Sequence, residues 1–205
     1  MAGRPRGVDD AVILRAAVEV MGRVGPAGLT LAAVAGEVGL VPATLVQRFG
    51  SKRGLLVALA EHSVREAEAR YGELSAEHTS PLAALTALAV DSTAAMETPD
   101  GYANHLAFLC ADLTDPTLRE HALAVHRKQR EALERLLAEA VAAGELRAGT
   151  DPAALAGSVQ AVAAGAGLAW ALDREGTLPQ RIEREIDALL SPRTPSWGGT
   201  ETEGS

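Results

Sequence analysis

The feature that most constrains this chain is the stretch from Leu29 to Leu59, in which two short helical patterns flank a glycine turn. Thr30 is placed to cap the first, because its hydroxyl can accept from the unpaired amides of a first helical turn. An apolar face at helical spacing follows, formed by Leu31, Val34, Ala35 and Val38. Gly39 stands where a left-handed C-cap favours a residue without a β-carbon, and Pro42 suits the first turn of the next helix. This pattern predicts a helix-turn-helix, which places a recognition helix in the major groove of DNA.

The charge of the chain is segregated in a way that fits this prediction. Over all 205 residues the net charge is −8, which by itself argues against a nucleic-acid partner. Residues 1–55 nevertheless carry seven Lys/Arg against four acids, a net charge of +3, whereas the remainder carries −11. The basic end is therefore the end with the helix-turn-helix pattern, as expected if only that end meets phosphates.

Nearly every segment has helical spacing, so we expect an all-α protein of about nine helices. The first helix is expected from Asp9 or Asp10 to about Arg23, with Val24 on its apolar stripe and Phe49 as the core residue of the small domain. A helix capped by Ser51 is expected to run on and join two domains rigidly. The predicted units are a three-helix DNA-binding domain over residues 1–55, a larger helical effector-binding and dimerisation domain over 56–190, and a disordered tail over 191–205.

Other classes of protein fit the sequence poorly. A single cysteine, Cys110, cannot build a disulfide scaffold, and a lone thiol among apolar neighbours is most often a small buried residue. The apolar stretch over residues 152–172 is interrupted by polar residues and glycines, so we expect no membrane span. The N-terminus has no apolar segment behind its arginines and does not resemble a signal peptide. These observations predict a cytoplasmic protein.

We also expect no metal, no cofactor and no enzyme activity. His121 and His126 are five residues apart, so they do not share a helical face, and no third ligand stands at metal spacing. The sequence GAG at 165–167 follows no strand, unlike a dinucleotide fingerprint, and is better explained by close helix packing. Neither a P-loop nor a nucleophile with His and acid partners is recognisable.

The stretch TLAAVAGEVGLVPATLVQRFGSKRGLL resembles the N-terminal signature of the TetR family of bacterial transcriptional regulators. The matching positions are Thr30, Ala35, Gly39, Thr44, Leu45, Phe49, Ser51, Lys52, Leu55 and Leu56. The resemblance implies an all-helical homodimer whose two recognition helices enter successive major grooves of a palindromic double-stranded operator, about 34–36 Å apart. It also implies that a small molecule in the larger domain releases the DNA. One departure is Val46, where the family usually has an aromatic residue, most often Tyr.

Candidate phosphate contacts follow from this arrangement. Lys52 lies beside a helix N-terminus, which suits a phosphate, although an ordinary surface lysine is the alternative. Thr30 and Thr44 are candidates too, unless they only cap or solvate their helices. Arg4 and Arg6 precede the first helix and can reach a minor groove, or belong to a frayed terminus.

Base readout is assigned to the recognition helix. Gln47 is a candidate reader of adenine, and Arg48 of guanine or of phosphate; for both, the alternative is a solvated helix face. Because Val46 lacks the hydroxyl expected there, affinity and register are expected to rest more on Thr44, Gln47, Arg48 and Lys52.

Two further sets of residues belong to the larger domain. The predicted effector pocket comprises Tyr102, His105, Phe108, Cys110, His121, His126, Gln129 and Trp170, each of which is alternatively a core residue. The C-terminal half is similar in arrangement to the helices by which TetR-family proteins dimerise. Small residues recurring every fourth position allow close helix packing there. The predicted dimer interface comprises Gly157, Ala161, Gly165, Ala169, Ile182 and Ile186.

Two rival functions remain open at this point. A DNA-binding protein tuned by a protein partner predicts that the region from Tyr102 to Trp170 is filled by side chains. A small helical enzyme using His105 or Asp112 predicts turnover and no sequence-specific DNA binding. An open cavity of several hundred cubic ångströms favours the ligand-responsive regulator.

Overall fold

The computed structural model describes residues 8–195, without the side chains of residues 67 and 68. Within that range the chain forms nine α-helices and no strand, which confirms the predicted all-α class. The helices are α1 (Asp10–Gly28), α2 (Leu31–Glu37), α3 (Pro42–Phe49), α4 (Lys52–Glu77), α5 (Pro81–Asp91), α6 (Pro99–Asp112), α7 (Pro116–Ala142), α8 (Pro152–Asp173) and α9 (Leu178–Leu190).

Local sequence explains where most of these helices begin. Helices α3 and α5 to α8 each start at a proline, whose missing N–H needs no partner in a first turn. The four prolines that open α5 to α8 each follow a residue whose side chain caps the helix: Ser80, Thr98, Asp115 and Asp151. Thr30 caps α2 by accepting from the Ala33 amide at 3.0 Å, as predicted.

Helix α1 differs from the expectation at its C-terminal end. It continues to Gly28 across a kink at Gly25, whose φ of +65° suits a glycine. Val24 was expected on the buried stripe but is 39% exposed. The kink redirects the chain so that Leu29, which is 1% exposed, takes the next core position instead.

Two hydrophobic cores organise the fold. The N-terminal core joins α1, α2 and α3 to Leu55 and Leu59 of α4 and to Phe108 of α6. At its centre is Leu45, the buried residue of α3, whereas Phe49 is only half-buried at the edge, so the expectation for Phe49 was wrong. The C-terminal core comprises residues of α5, α7, α8 and α9 together with Leu74 of α4 and Leu146 of the α7–α8 connection. Helix α4 therefore contributes to both cores.

The first residues of the predicted tail are ordered against the larger domain. Ser191–Arg193 forms a turn of 3-10 helix, and the Arg193 carbonyl accepts from the Arg147 amide at 2.9 Å. The Arg147 side chain also donates to the Thr194 carbonyl at 3.1 Å. These bonds hold the residues just after α9 against the connection between α7 and α8. The rest of the predicted tail, residues 196–205, lies outside the described residues.

Helix α8 is long and apolar enough, by length and composition alone, to cross a membrane. The polar residues and glycines that interrupt this stretch therefore do not lower its mean hydropathy below that of a membrane-spanning helix. The observation is weak evidence for a span, since the core helix of a soluble protein passes the same test. In this fold α8 packs against α6, α7 and α9.

Candidate DNA-binding interface

The turn between α2 and α3 is built by hydrogen bonds around Gly39. The Leu40 amide donates to the Ala35 carbonyl at 2.8 Å, and the Gly39 amide donates to Gly36 at 3.4 Å. These two bonds form a Schellman motif, whose left-handed position is filled by Gly39 with a φ of +67°. They end α2 sharply, so that α3 leaves in a new direction. The predicted helix-turn-helix is present.

The outward face of α3 carries few polar groups. Leu45 points into the N-terminal core, while Ala43, Val46 and Gln47 are exposed and Thr44 is half-buried. Val46 is 51% exposed, so this position of α3 presents a branched apolar side chain to solvent. This surface therefore offers two apolar contacts and one amide.

Arg48 faces away from that surface. Its guanidinium donates to the Asp10 carboxylate at 3.0 Å and to the Val8 carbonyl. The end of the recognition helix is thereby fastened to the start of α1. Sequence reasoning missed this role, since nothing local relates residues separated by 38 positions.

Three other basic side chains near the helix-turn-helix also have partners within the chain. The Lys52 ammonium donates to the Pro26 carbonyl at 2.6 Å, so it satisfies the last turn of α1. Arg23 pairs with Glu37 on α2. Arg53 pairs with Asp115 at 3.1 Å. For Lys52 to contact a DNA phosphate, its ammonium group must therefore give up the hydrogen bond to the Pro26 carbonyl. Arg4 and Arg6 lie outside the described residues.

Gly54 is a residue that sequence reasoning did not single out. A β-carbon there would lie 2.0 Å from the Phe49 carbonyl oxygen, far inside van der Waals contact. The first turn of α4 therefore packs directly against the end of α3. Ser51 caps this turn by accepting from the Gly54 amide at 3.1 Å. The junction fixes how the recognition helix is held against α4.

Of the predicted effector-pocket residues, Tyr102 and Trp170 come together. Their rings are perpendicular with centroids 6.5 Å apart, and the Tyr102 hydroxyl donates to the Ala164 carbonyl at 3.2 Å. Gly167 lies beneath the Tyr102 ring, where a β-carbon would be 2.4 Å from Cε2. Burial raises the pKa of the Tyr102 hydroxyl. This pair joins α6 to α8.

Two other predicted pocket residues face the DNA-binding helices instead. Phe108 is buried in the N-terminal core. His105 packs beside Gly22 of α1, where a β-carbon would be 2.8 Å from the ring carbon Cε1. Its Nδ1 lies 2.8 Å from the Gly101 carbonyl oxygen, while its Nε2 is buried without a partner in the described structure.

The remaining predicted pocket residues are dispersed. Cys110 is exposed, contrary to the expectation of a buried thiol. His121 and Gln129 are half-buried on α7, and His126 is exposed, its carbonyl accepting from Gln160 at 3.1 Å. Among residues 8–195 there is no cluster of three or more His, Cys, Asp or Glu placed to hold a metal ion.

A cavity of about 500 Å³ lies between α4, α5, the α5–α6 connection and the α8–α9 turn. Trp170 lines it and is the member it shares with the predicted pocket. The other lining residues include Arg70, Leu74, Val90, Asp91, Met96, Glu97, Leu178 and Glu183. Sequence patterning gave no sign of this set, because its members come from distant segments.

The predicted dimer residues divide into two groups. Ala161 and Gly165 are exposed on α8, and a β-carbon at Gly165 would meet nothing within 4 Å. Ala169 is half-buried, and a β-carbon on Gly157 would lie 3.1 Å from Nη2 of the Arg130 guanidinium, so the glycine makes room for that side chain. Ile182 and Ile186 are fully buried in the C-terminal core of the chain, so placing them in a dimer interface was wrong.

Comparison with solved structures supports this architecture. A TetR-family regulator from Agrobacterium tumefaciens is 22% identical with a TM-score of 0.70, covering 91% of this chain and 97% of that one. A regulator from Saccharomonospora viridis in complex with choline is 18% identical with a TM-score of 0.70, covering 89% and 95%. FadR from Bacillus subtilis in complex with stearoyl-CoA is 18% identical with a TM-score of 0.66, covering 89% and 98%. At these identities the likeness concerns the fold alone.

Family profiles extend the comparison to the sequence. No curated protein matches the chain by sequence. The profile of bacterial regulatory proteins of the tetR family matches residues 13–59, and a profile of tetracyclin repressor-like C-terminal domains matches residues 81–186. The second match alone spans more than half of the chain, and both fall on the helices described above. This chain therefore belongs to the TetR family of DNA-binding transcriptional regulators.

Proposed function

We propose that the protein is a cytoplasmic, homodimeric repressor that a small molecule releases from a palindromic operator. The observation that carries the proposal is the close attachment of α6 to α1. Asn104 of α6 donates to the Gly22 carbonyl at 2.8 Å, and its side-chain oxygen lies 2.6 Å from where a β-carbon on Gly25 would stand. With Phe108 in the N-terminal core, α6 cannot move without moving α1.

The other side of α6 faces the larger domain. Its first turn carries Asp100, which pairs with Arg174 at the end of α8 at 2.7 Å, and Tyr102, which packs against Gly167. A ligand that changes the packing of α8 or of the α5–α6 connection would therefore displace α6 and, through it, α1. Because α1 packs on α2 and contacts Arg48 of α3, that displacement would alter the spacing of two recognition helices in a dimer.

The outward face of α3 supports a preference for A·T pairs. Apolar side chains such as Ala43 and Val46 suit the thymine methyl group, and the Gln47 amide suits the paired N6 and N7 of adenine. We assign phosphate contacts to Lys52, Thr30 and Thr44.

The arginines are assigned separately. Arg48 reaches DNA only if it leaves Asp10, so in this proposal its first task is to hold α3 against α1. Arg4 and Arg6 are proposed to enter the minor groove.

Dimerisation is assigned to α8. Its exposed side includes Ala161 and Gly165, which allow close approach, and Leu168 and Leu172, which are 48% and 77% exposed. Leucines this exposed near a small-residue surface favour burial against a second copy. We place Ala169 at the edge of the same interface.

The rival functions have less support. The region from Tyr102 to Trp170 is filled by side chains, since Trp170 is 3% exposed and the Tyr102 ring lies on Gly167, and this packing is what the protein-partner rival predicts. A cavity of about 500 Å³ beside that region falls in the range of small-molecule sites, which supports a ligand instead. Related folds carry choline and stearoyl-CoA, two chemically unlike molecules, so neither names the effector here. For an enzyme, Asp112 is the nearest candidate acid, because burial raises its pKa, but no nucleophile has been assigned beside it.

The test is selection of bound fragments from random double-stranded DNA by the full chain. We expect an inverted repeat with half-sites about one helical turn apart, and loss of the enriched sites in the presence of an active ligand. A reporter driven from the selected site should be repressed by the protein. Absence of enrichment, or activation of the reporter, contradicts the proposal.

If the selected DNA sites are not inverted repeats, that result argues against a dimer. Asn104→Ala offers a separate check of the α1–α6 attachment. It should leave operator affinity within a few-fold while weakening the response to ligand, because the hydrogen bond to Gly22 is lost.

A further inference from the structure

The cavity between α4, α5 and the α8–α9 turn carries more negative than positive charge. Its one lysine or arginine, Arg70, is already paired. The guanidinium donates to the Asp91 carboxylate through Nε and Nη2, both at 2.9 Å, and to Glu73 through Nη1 at 3.0 Å. The positive charge of Arg70 is thus balanced before any ligand arrives, and it offers no free anchor for an anion.

Two further carboxylates line the cavity without such compensation. Glu97 lies on the α5–α6 connection and Glu183 on α9, and neither has a hydrogen-bond partner or ion pair among the side chains that the structure describes. Both are exposed at the rim. A second cavity of about 490 Å³ shares Ala87 and Glu183 with the first and adds Asp187. The negative charge therefore continues along α9.

The interior of the first cavity is apolar. Leu74, Val90, Met96 and Leu178 line it together with Trp170. The Trp170 indole nitrogen donates to the Gly176 carbonyl at 3.2 Å, so its hydrogen bond is satisfied within the chain. The Trp170 side chain is only 3% exposed, so the apolar surface left for a ligand comes from half-buried residues such as Val90 and Met96.

From these observations we propose that this cavity binds a small cation with an apolar body, the charge lying near Glu97 and Glu183 and the body against Val90 and Met96. This inference rests on the proposed function only in taking the cation to be the effector. Glu97 lies two residues before Pro99, the first residue of α6, so a ligand here acts directly on the start of that helix. An anion of the same shape is disfavoured by the unbalanced carboxylates.

The experiment uses two probes of nearly equal shape and opposite charge, tetraphenylphosphonium and tetraphenylborate. Their affinities for the full chain are measured by titration calorimetry. We expect the cation to bind at least about 10-fold more tightly. Glu97→Gln/Glu183→Gln should weaken cation binding by about 4- to 25-fold, from about 2- to 5-fold for each exposed carboxylate. The affinity of tetraphenylborate for that variant should equal or exceed its affinity for the unmodified protein.

A matched control separates local charge from net charge. Glu120→Gln/Glu134→Gln removes two exposed carboxylates from α7, a helix that contributes no residue to the cavity. Cation binding should be unchanged there. If both double variants weaken binding equally, the cation is attracted only by overall acidity and the inference is wrong.

A second pair of probes, benzyltrimethylammonium and uncharged neopentylbenzene, repeats the comparison with molecules that are smaller than the tetraphenyl ions and enter a narrower cavity. If neither cation binds better than its counterpart, the inference is overturned. Operator binding is measured in parallel by fluorescence anisotropy. Operator binding without charge-selective ligand binding leaves the proposed function standing and removes the cationic site. Charge-selective binding without release of DNA keeps the site and removes its role as the effector site.

Discussion

Arg53, in the first turn of α4, forms a two-point ion pair with Asp115, the residue that caps α7: both nitrogen–oxygen distances are 3.1 Å. The same carboxylate accepts from the backbone amides of Thr117 at 2.9 Å and Leu118 at 3.2 Å. The Asp115 side chain therefore links α4, which follows the recognition helix, to α7 in the larger domain.

The first prediction concerns the pH dependence of this tie. Hydrogen bonding from Arg53, followed by that from the Leu118 amide, lowers the pKa of Asp115 in the folded protein. Its stabilising contribution is therefore present above the pKa of an unfolded aspartate, about 3.9, and is lost as the pH falls through the lower folded value. Asp115→Asn keeps a capping oxygen but removes the charge. Urea unfolding should find it less stable than the unmodified protein at pH 7, with the difference vanishing in acid.

Asp151→Asn is the control for the cap itself. Asp151 accepts from two amides of α8 at 3.0 and 3.2 Å and has no ion-pair partner among the described side chains. If Asp115→Asn and Asp151→Asn respond to pH identically, the Arg53 pair contributes nothing of its own.

The second prediction separates positioning from base readout. Lys52→Ala should weaken binding to all DNA sequences alike and reduce the slope of log affinity against log salt by about one, because one phosphate contact is lost. Gln47→Ala should cost about 1–3 kcal/mol at one base position and relax preference there. Both are measured by anisotropy titrations over a range of salt and operator variants.

Lys128→Ala serves as the control, since this lysine pairs with Glu131 on α7. It should leave the salt slope unchanged. Unaltered DNA binding in both Lys52→Ala and Gln47→Ala would show that the outward surface of α3 and the start of α4 have been misassigned.

The third prediction tests the junction of α3 and α4. Gly54→Ala should destabilise the protein by about 1–3 kcal/mol, because the added carbon meets the backbone oxygen of Phe49, which cannot move aside easily. Gly72→Ala, on the same helix with open space around it, should be neutral or stabilising by up to about 1 kcal/mol. Thermal and urea unfolding give both values. Equal effects at the two sites would mean that the close contact with Phe49 is not maintained in solution.

Helix positions were predictable from the sequence because their determinants are local. Thr30 and Ser51 cap the helices that follow them, and Gly39 takes the left-handed turn, each through bonds to residues a few positions away. An apolar stripe, however, specifies only that a face is buried. Ile182 and Ile186 show the consequence: the stripe is real, but it packs within the chain and not against a second copy.

The functional sites were less predictable for a related reason. Successive residues of an α-helix are rotated by about 100°, so side chains six positions apart differ in direction by a net angle of about 240°. Tyr102 and Phe108 therefore lie on different faces of α6. One meets α8 and the other enters the N-terminal core. The cavity residues Arg70, Glu97 and Glu183 come from distant parts of the chain, and no local pattern brings them together. Arg48 looked free for DNA only because its partner Asp10 is remote in sequence.

The last prediction concerns the dimer. Gly165→Leu adds a side chain where nothing within 4 Å opposes it in the single chain, so folding should be little affected. Against a second copy the same side chain separates the two α8 helices, and overpacking of about 1–3 kcal/mol in each subunit should raise the dissociation constant by 10-fold or more. Sedimentation equilibrium and circular dichroism distinguish the two effects.

Gly167→Ala is the comparison, two residues along the same helix. Its new carbon meets the Tyr102 ring at 2.4 Å within the chain, so it should lower the melting temperature. Its effect on the dissociation constant should be smaller than that of Gly165→Leu, since residue 167 is buried and residue 165 is exposed. An unmodified protein that sediments as a monomer, or a Gly165→Leu dimer as tight as the original, would move the interface away from this face of α8.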